Sequence, residues 1–337
     1  MFVNPAISVV IPLYNKRQYI GRALRSLFSQ TFADFEAIVV DDGSTDGGAA
    51  EVEVYQADPR LRIIRQRNAG GAAARNRGMR ESRSSLIAFL DADDEFLPGH
   101  LEALHSLARQ YPQAGLLVTG YYSVTNGVRR ARIMQHEGPR LFEDYFAAGC
   151  RHGYLVTPSG CAVRRETLAA VGGFREGVRI GEDLEYWARI ALEFPVAYDP
   201  RPSALYYMGV PGSAMYGFRW DPGTPAVADM LTGWLAGHRG DSRTRSIVDY
   251  SAWILLNHVA SGIAASHRRE ARAVLRHPLI RQSRLRRRRA QLWLAAVSIP
   301  DWAMRPYLAL REQIAHRRAG LPLGILAEPA GNLNDRA

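Results

Sequence analysis

The feature that most narrows the fold is a rhythm in the first half of the chain, where apolar strand-like runs alternate with stretches of helical spacing. Ile7-Ser-Val-Val-Ile11, Phe35-Glu-Ala-Ile-Val-Val40, Leu61-Arg-Ile-Ile64 and Leu86-Ile-Ala-Phe-Leu90 read as buried strands, and Leu116-Leu-Val-Thr-Gly-Tyr-Tyr122 as a fifth. Between them, Arg17 to Gln30 places Ile20, Leu24 and Leu27 on one helical face, and Ala72 to Arg83 reads as a second helix. Alternating strands and helices predict an α/β domain with a doubly wound, mostly parallel sheet flanked by helices. Pro12 is expected to close the first strand.

Past about residue 140 the rhythm loosens. A helix is expected from Glu182 to Leu192, with short strands at Val196–Tyr198 and Ala204–Tyr207. From Pro225 the pattern is mainly helical, broken at Pro278, Pro300 and Pro306. No internal repeat is visible, and the Gly-, Pro- and Asn-bearing tail after Ala319 reads as loose.

In an open α/β sheet, ligands bind beyond the carboxyl ends of the strands, and four motifs cluster there or on a later helix. The first is Phe89-Leu-Asp-Ala-Asp-Asp94. Asp91 and Asp93 follow a strand directly, in a turn where both carboxylates have access to one site. Magnesium or manganese is commonly held by one or two carboxylates, with substrate phosphates and water completing the shell. The bland alternative is a solvated turn in which one aspartate caps a helix starting near Pro98.

The second motif is Val39-Val-Asp-Asp-Gly-Ser-Thr-Asp46, whose Asp42 is a candidate acceptor for hydrogen bonds from a base or ribose. Thr45 and Asp46 read as ordinary turn and helix-start chemistry. The third is Asn68-Ala-Gly-Gly-Ala-Ala-Ala-Arg-Asn-Arg-Gly78, where small residues open a helix N-terminus suited to anions and Arg75 and Arg77 are candidates to face a diphosphate. It matches neither a dinucleotide fingerprint nor a P-loop. The fourth is Gly181-Glu-Asp-Leu-Glu-Tyr-Trp-Ala-Arg189. Its acids suit the first turn of a helix on dipole grounds alone, or else supply a catalytic base.

Taken together these motifs resemble the family 2 glycosyltransferases of the GT-A fold. The order runs Val-Val-Ile-Pro-Leu-Tyr-Asn15, Ser29-Gln-Thr-Phe32, Val-Asp-Asp-Gly-Ser-Thr-Asp46, Asn68 to Gly78, Leu-Asp-Ala-Asp-Asp94 and Gly-Glu-Asp183, and covers roughly residues 5–210. The resemblance implies that Pro12, Tyr14 and Asp42 frame the nucleotide base, with Arg75 near the nucleotide or its diphosphate. Asp91 would contact the ribose or the metal shell, and Asp93 would be the main ligand of Mn²⁺ or Mg²⁺. Asp183 would be the general base with Glu182 beside it, and the transfer would invert the anomeric centre. A nucleotide-sugar donor, UDP-linked by family habit, and a glycan or lipid-linked acceptor are the partners it implies, in cell-surface or exported glycan synthesis.

The sequence also departs from that pattern. Met208 and Val210 stand where many relatives carry Arg and His. Processive polysaccharide synthases carry Gln-x-x-Arg-Trp and several membrane spans, whereas this chain has Tyr216-Gly-Phe-Arg-Trp220 and no apolar run near the roughly 20 residues of a span. One sugar per encounter is therefore expected. A nucleotidyltransferase would place a Gly-rich loop where Pro-Leu-Tyr-Asn15 stands, and a catalytically silent adaptor is disfavoured by the presence of Asp93 and Asp183.

The expected organisation is a catalytic region over residues 1–224, with a nucleotide-sugar half to residue 115 and an acceptor half from 116, followed by a helical basic region over 225–337. Charge supports the division. Residues 1–224 carry 25 basic and 25 acidic side chains, and 225–337 carry 18 and 8, so the net +10 lies in the last third. Arginines from Arg268 to Arg289, followed by Leu292, Trp293, Leu294, Trp302 and Tyr307, suit a segment lying on an anionic membrane over 268–310; nucleic acid is the less favoured partner. The alternative is a solvated face whose aromatics pack inward. Of the 43 basic residues one, Lys16, is lysine, and the arginine bias by itself carries no functional reading. Cys150 and Cys161 have no metal-ligand or disulfide spacing. With no basic-then-apolar leader before the first strand, a cytoplasmic protein, peripheral to the inner membrane face, is expected.

Overall fold

The computed structural model describes residues 4–134, 137–213, 216, 220–238 and 240–298. The chain forms two compact units, one of residues 1–143 with 155–213, the other of 144–154 with 214–337.

In chain order the first unit begins β1 (Ile7–Leu13), α1 (Arg17–Phe28), β2 (Phe35–Asp41), α2 (Gly48–Glu53), β3 (Leu61–Arg65), α3 (Gly71–Glu81), β4 (Leu86–Phe89), β5 (Glu95–Phe96) and α4 (His100–Gln110). It continues with β6 (Leu116–Thr125), β7 (Val128–Arg132) and β8 (Arg140–Leu141). After α5 (Tyr145–His152), which belongs to the second unit, come β9 (Cys161–Arg164), α6 (Arg165–Val171), α7 (Glu182–Glu193) and β10 (Val196–Tyr207).

The strand order is β3-β2-β1-β4-β9-β6-β10-β5, with β7 beside β6 and β8 beside β10. β3, β2, β1 and β4 are parallel neighbours, as are β6 and β10, while β9 runs antiparallel between β4 and β6. The chain winds outward from β1 through β2 to β3, then crosses back to place β4 on the other side of β1. That reversal is a topological switch point, where an open sheet presents a crevice at its carboxyl edge.

Two sequence expectations are revised. Pro12 lies inside β1, opposite Val40 of β2. Its missing N–H is tolerated because β4 runs out at Phe89, opposite Val10, so β1 has already lost that neighbour at Pro12. The two short strands expected over 196–207 are one strand, β10, with register shifts around Pro200 and Pro202.

Helices α1 and α4 bury Leu24, Leu27, Leu101 and Leu104 in the same apolar cluster as Val9, Ile11, Ala37 and Val39. Another cluster is aromatic: Phe89 of β4 meets Phe174 edge-on at 5.4 Å, and Tyr186 and Trp187 of α7 pack against Phe174 at 4.4 and 5.5 Å. Tyr186 and Trp187 are wholly buried, so they anchor α7 and fix where its first turn emerges.

The second unit is built on α9 (Thr244–Ala264), with α8 (Ala226–Gly237), α10 (Arg268–Val274), α11 (Pro278–Gln282) and α12 (Arg286–Ser298). Leu255, Leu256, Val259 and Ile263 of α9 form its core with Ala271, Leu279, Ile280, Leu292 and Ala296. Among the described residues no helix is long and apolar enough to cross a membrane. Trp302, Tyr307 and the tail after Ala319 lie outside the described residues, as do residues 217–219 before Trp220.

Candidate active site

The carboxyl edge of β4 carries the densest chemistry. Asp91, Asp93 and Asp94 follow the strand, and each meets a different partner. Asp91 Oδ1 accepts a 2.6 Å hydrogen bond from Arg75 Nη2, and its backbone N–H donates to Ser159 Oγ at 3.0 Å. Asp93 Oδ2 accepts from Lys16 Nζ at 2.6 Å, while its carbonyl accepts from Arg22 Nη2 at 2.7 Å. Asp94 is fully buried, accepting from the Ser159 hydroxyl at 2.6 Å and the Tyr207 backbone N–H at 2.9 Å. Burial, and then the carboxylates of Asp93 and Asp91, push the Asp94 carboxyl well above the ordinary range. Asp94 ties the strand end to β10 and to the turn before β9, which fixes the two aspartates preceding it.

Arg75 projects from α3 and bridges two elements. One terminal nitrogen reaches Asp91, and the other reaches Glu182 Oε1 at 3.1 Å, at the start of α7. Its guanidinium is nearly inaccessible, and its pairing with Asp91 and Glu182 outweighs burial, raising its pKa. The third motif thus supplies a clamp between carboxylates. Arg77 turns outward instead and pairs with Glu81 one turn along α3, so it does not join the site.

Gly181 adopts a left-handed conformation, φ 82°, which a residue with a Cβ adopts only with strain. The chain turns there into α7, placing Glu182 and Asp183 at the helix start. Asp183 Oδ1 accepts from the Leu184 N–H at 2.8 Å. Its carboxyl is pushed up to about 7: burial raises it, as do Glu182 and Asp91, against the lowering effects of the Leu184 N–H and Arg75. A half-buried carboxylate poised there has the proton affinity of a general base working near neutrality.

Asp42 follows β2 and is buried. It accepts from Gln66 Nε2 at 2.8 Å and from the backbone N–H groups of Ala69 and Gly70 at 2.9 and 2.8 Å. Its first task is therefore to shape the loop leading into α3, and a two-oxygen carboxylate retains acceptor capacity beyond those three bonds. Tyr14 is exposed just after β1, and Pro12 lies in the strand beneath it. Asp46 serves the helix starts, accepting from the backbone N–H groups of Arg17 and Gly48, each at 2.8 Å.

Lys16 and Ser159 are members of the site that the motifs did not single out. Ser159 sits in a turn with no distinctive spacing. Lys16 did carry a signal, as a lone lysine next to a motif. Among the described residues no three His, Cys, Asp or Glu side chains converge on a metal position. A hard divalent ion suits the oxygen donors of Asp93 and Asp91 all the same, if phosphates and water supply the other ligands.

The family model described as "Glycosyl transferase family 2" matches residues 8–172, a span that includes β1, the Asp42 loop, α3 and the aspartates after β4. Residues 8–172 belong to glycosyl transferase family 2. An uncharacterized protein of Mycobacterium tuberculosis is 32% identical over 217 residues, 59% of this chain and 66% of that protein. The glycosyltransferase GlyA of Streptococcus pneumoniae is 38% identical over 124 residues, 36% of this chain and 18% of that protein. The chain thus spans less than two thirds of the length of these relatives. Residues 1–349 of S. aureus TarS, crystallised with UDP-GlcNAc, share the fold at a TM-score of 0.64 and 18% identity, over 89% of this chain and 92% of that one. The fold is GT-A.

Proposed function

We propose that this family 2 chain is an inverting glycosyltransferase that moves one sugar from a nucleoside-diphosphate sugar to an acceptor hydroxyl, with Asp183 as general base. The observation that carries the reading is the Arg75 bridge. It brings Asp91, on the strand edge expected to face the donor, and the Glu182–Asp183 helix start into one cluster. Donor and base functions, separated by about ninety residues of sequence, are thereby joined by a single buried side chain.

Asp42 organises the loop that would receive the base and ribose, with Tyr14 and Pro12 beside it. Asp93, and Asp91 in part, would hold Mn²⁺ or Mg²⁺ together with the donor phosphates. When bound there, such an ion offsets the negative charge that grows on the leaving diphosphate. Asp183 accepts the acceptor hydroxyl's proton while the hydroxyl oxygen bonds to the anomeric carbon from the side opposite the diphosphate, whose bond to that carbon breaks, inverting the centre. No covalent intermediate is required, so one base is enough.

A UDP-sugar is the favoured donor, because the GT-A neighbour TarS was crystallised with UDP-GlcNAc. The acceptor is a glycan, free or lipid-linked, in envelope or exported polysaccharide synthesis. Exposed arginines of the second unit, among them Arg269, Arg276, Arg281 and Arg284, support an electrostatic attraction to anionic lipid at the inner membrane face. Leu292 packs into the helical core and Trp293 lies against it, whereas Leu294 is exposed.

The test is Asp183→Asn. Transfer to an acceptor glycan should fall by roughly 10²–10⁴-fold, the usual worth of a general base, while UDP binding measured by calorimetry stays within about twofold. Turnover close to wild type would remove Asp183 from the role.

A further inference from the structure

Asp91 and Asp93 are each held by a cation, and the two cations differ in kind. Asp91 is held by the arginine Arg75, and Asp93 by Lys16 through Nζ–Oδ2 at 2.6 Å, with side chains only 10% and 14% exposed. Lys16 is the one lysine among 43 basic residues. Buried or half-buried ion pairs elsewhere in the first unit, such as Arg62–Glu36 and Arg189–Glu185, use arginine. A guanidinium grips a carboxylate through a rigid fork of parallel N–H bonds. An ammonium is a point charge on a flexible stem, and is the easier of the two to displace.

The position is also costly for a lysine. Lys16 is the residue at the N-cap of α1, and its side chain caps nothing. Ser, Thr, Asp and Asn are favoured there, and a positive charge opposes the helix dipole. Asp46 caps from the neighbouring loop instead, accepting the Arg17 N–H. Asn15, in the left-handed region at φ 51°, sets the preceding turn. Its N–H donates to Ser44 Oγ at 3.1 Å, and its Oδ1 accepts from the Thr45 N–H at 2.8 Å. The lysine backbone is thus held in place by the loop after β2. A residue kept against local preference in a well-fixed turn marks a functional demand.

We infer that Lys16 is an exchangeable counter-ion for Asp93: its ammonium occupies the carboxylate when no divalent cation is present, and the cation binds by displacing it. The inference rests on Asp93 being a metal ligand. The Asp93 carbonyl is held separately by Arg22 and the neighbouring Asp94 by Ser159 and Tyr207, so loss of the lysine leaves the turn supported.

Mn²⁺ binding, followed by electron paramagnetic resonance of the free ion, is the test. Lys16→Met should bind Mn²⁺ roughly tenfold or more tightly than wild type, since the ion no longer competes with the ammonium. Equal or weaker binding in the variant overturns the exchange while leaving Asp93 as a ligand. No Mn²⁺ binding by either protein, with nucleoside diphosphate present or absent, removes the metal site and the exchange with it. The wild-type chain gives an independent measurement, because Lys16 and the N-terminus are its only alkyl amines. Acylation of Lys16 by an amine-reactive ester, read by mass spectrometry against the N-terminus, should speed up several-fold when Mn²⁺ is added. An unchanged rate overturns the proposal.

Discussion

Charge balance governs the site at the scale of single residues. Five carboxylates, those of Asp91, Asp93, Asp94, Glu182 and Asp183, are gathered around two cations, Arg75 and Lys16. Not all can ionise comfortably with so little solvent, and the strain of ionisation falls on Asp94 and Asp183, whose carboxyls are pushed upward. Asp94 is locked to Ser159 and Tyr207, whereas Asp183 keeps its proton affinity available for chemistry. A base works only when ionised. Transfer measured as kcat/KM should therefore be low at acid pH, rise through about pH 7 and level off above it, following the ionisation of Asp183. A profile flat from pH 5 to 9 would show that another group takes the proton. The carboxylates of this cluster were legible as motif residues, since acids crowded after a buried strand are hard to explain as caps alone. Their partners were not. Arg75 reads equally as a phosphate ligand or a solvated helix residue, and only the fold brings it between Asp91 and Glu182.

Strands and helices hold those residues still, and close contact does much of the work. Gly78 of α3 lies against β1: a Cβ there would come within 2.3 Å of Val10 Cγ1 and 3.0 Å of Cγ2. The helix carrying Arg75 sits this near the sheet because residue 78 has no side chain. Gly78→Ala should lower stability by about 1–3 kcal/mol, the usual cost of overpacking a tight core, with Arg75 shifted off Asp91. Thermal melts and UDP affinity check both effects, and a variant matching wild type in each would mean that α3 has room to move. The parallel strands were readable in the sequence because burial on both faces leaves continuous apolar runs. β9 was not. Its four residues, Cys161 to Arg164, are too few to show a period, although they bridge β4 and β6. Nor does periodicity foretell that Pro12 continues β1, because that depends on where β4 ends.

For the molecule as a whole, the GT-A fold lies in the first unit, and the whole positive charge excess of +10 lies in the second. The departure of α5 from the first unit's run of sequence, to pack Tyr145 and Phe146 against Tyr250 of α9, has no local signature, since it depends on a partner about a hundred residues away. The general architecture and the residue range of the donor motifs were readable from pattern and order. The antiparallel strands that complete the sheet required the structure. Donor capture is the property on which everything else rests, and its most direct measurement is the melting temperature of the whole chain with a nucleoside diphosphate in excess. A ligand that binds the folded state alone stabilises it by about 2.7 kcal/mol at a hundred times its dissociation constant, worth a few degrees in a domain of this size. UDP with Mn²⁺ should raise the midpoint by that amount, with a smaller rise when either is left out or when Asp93 is changed to alanine. A midpoint unmoved by every nucleoside diphosphate, with or without Mn²⁺, would contradict the assignment of this site to a nucleotide-sugar donor.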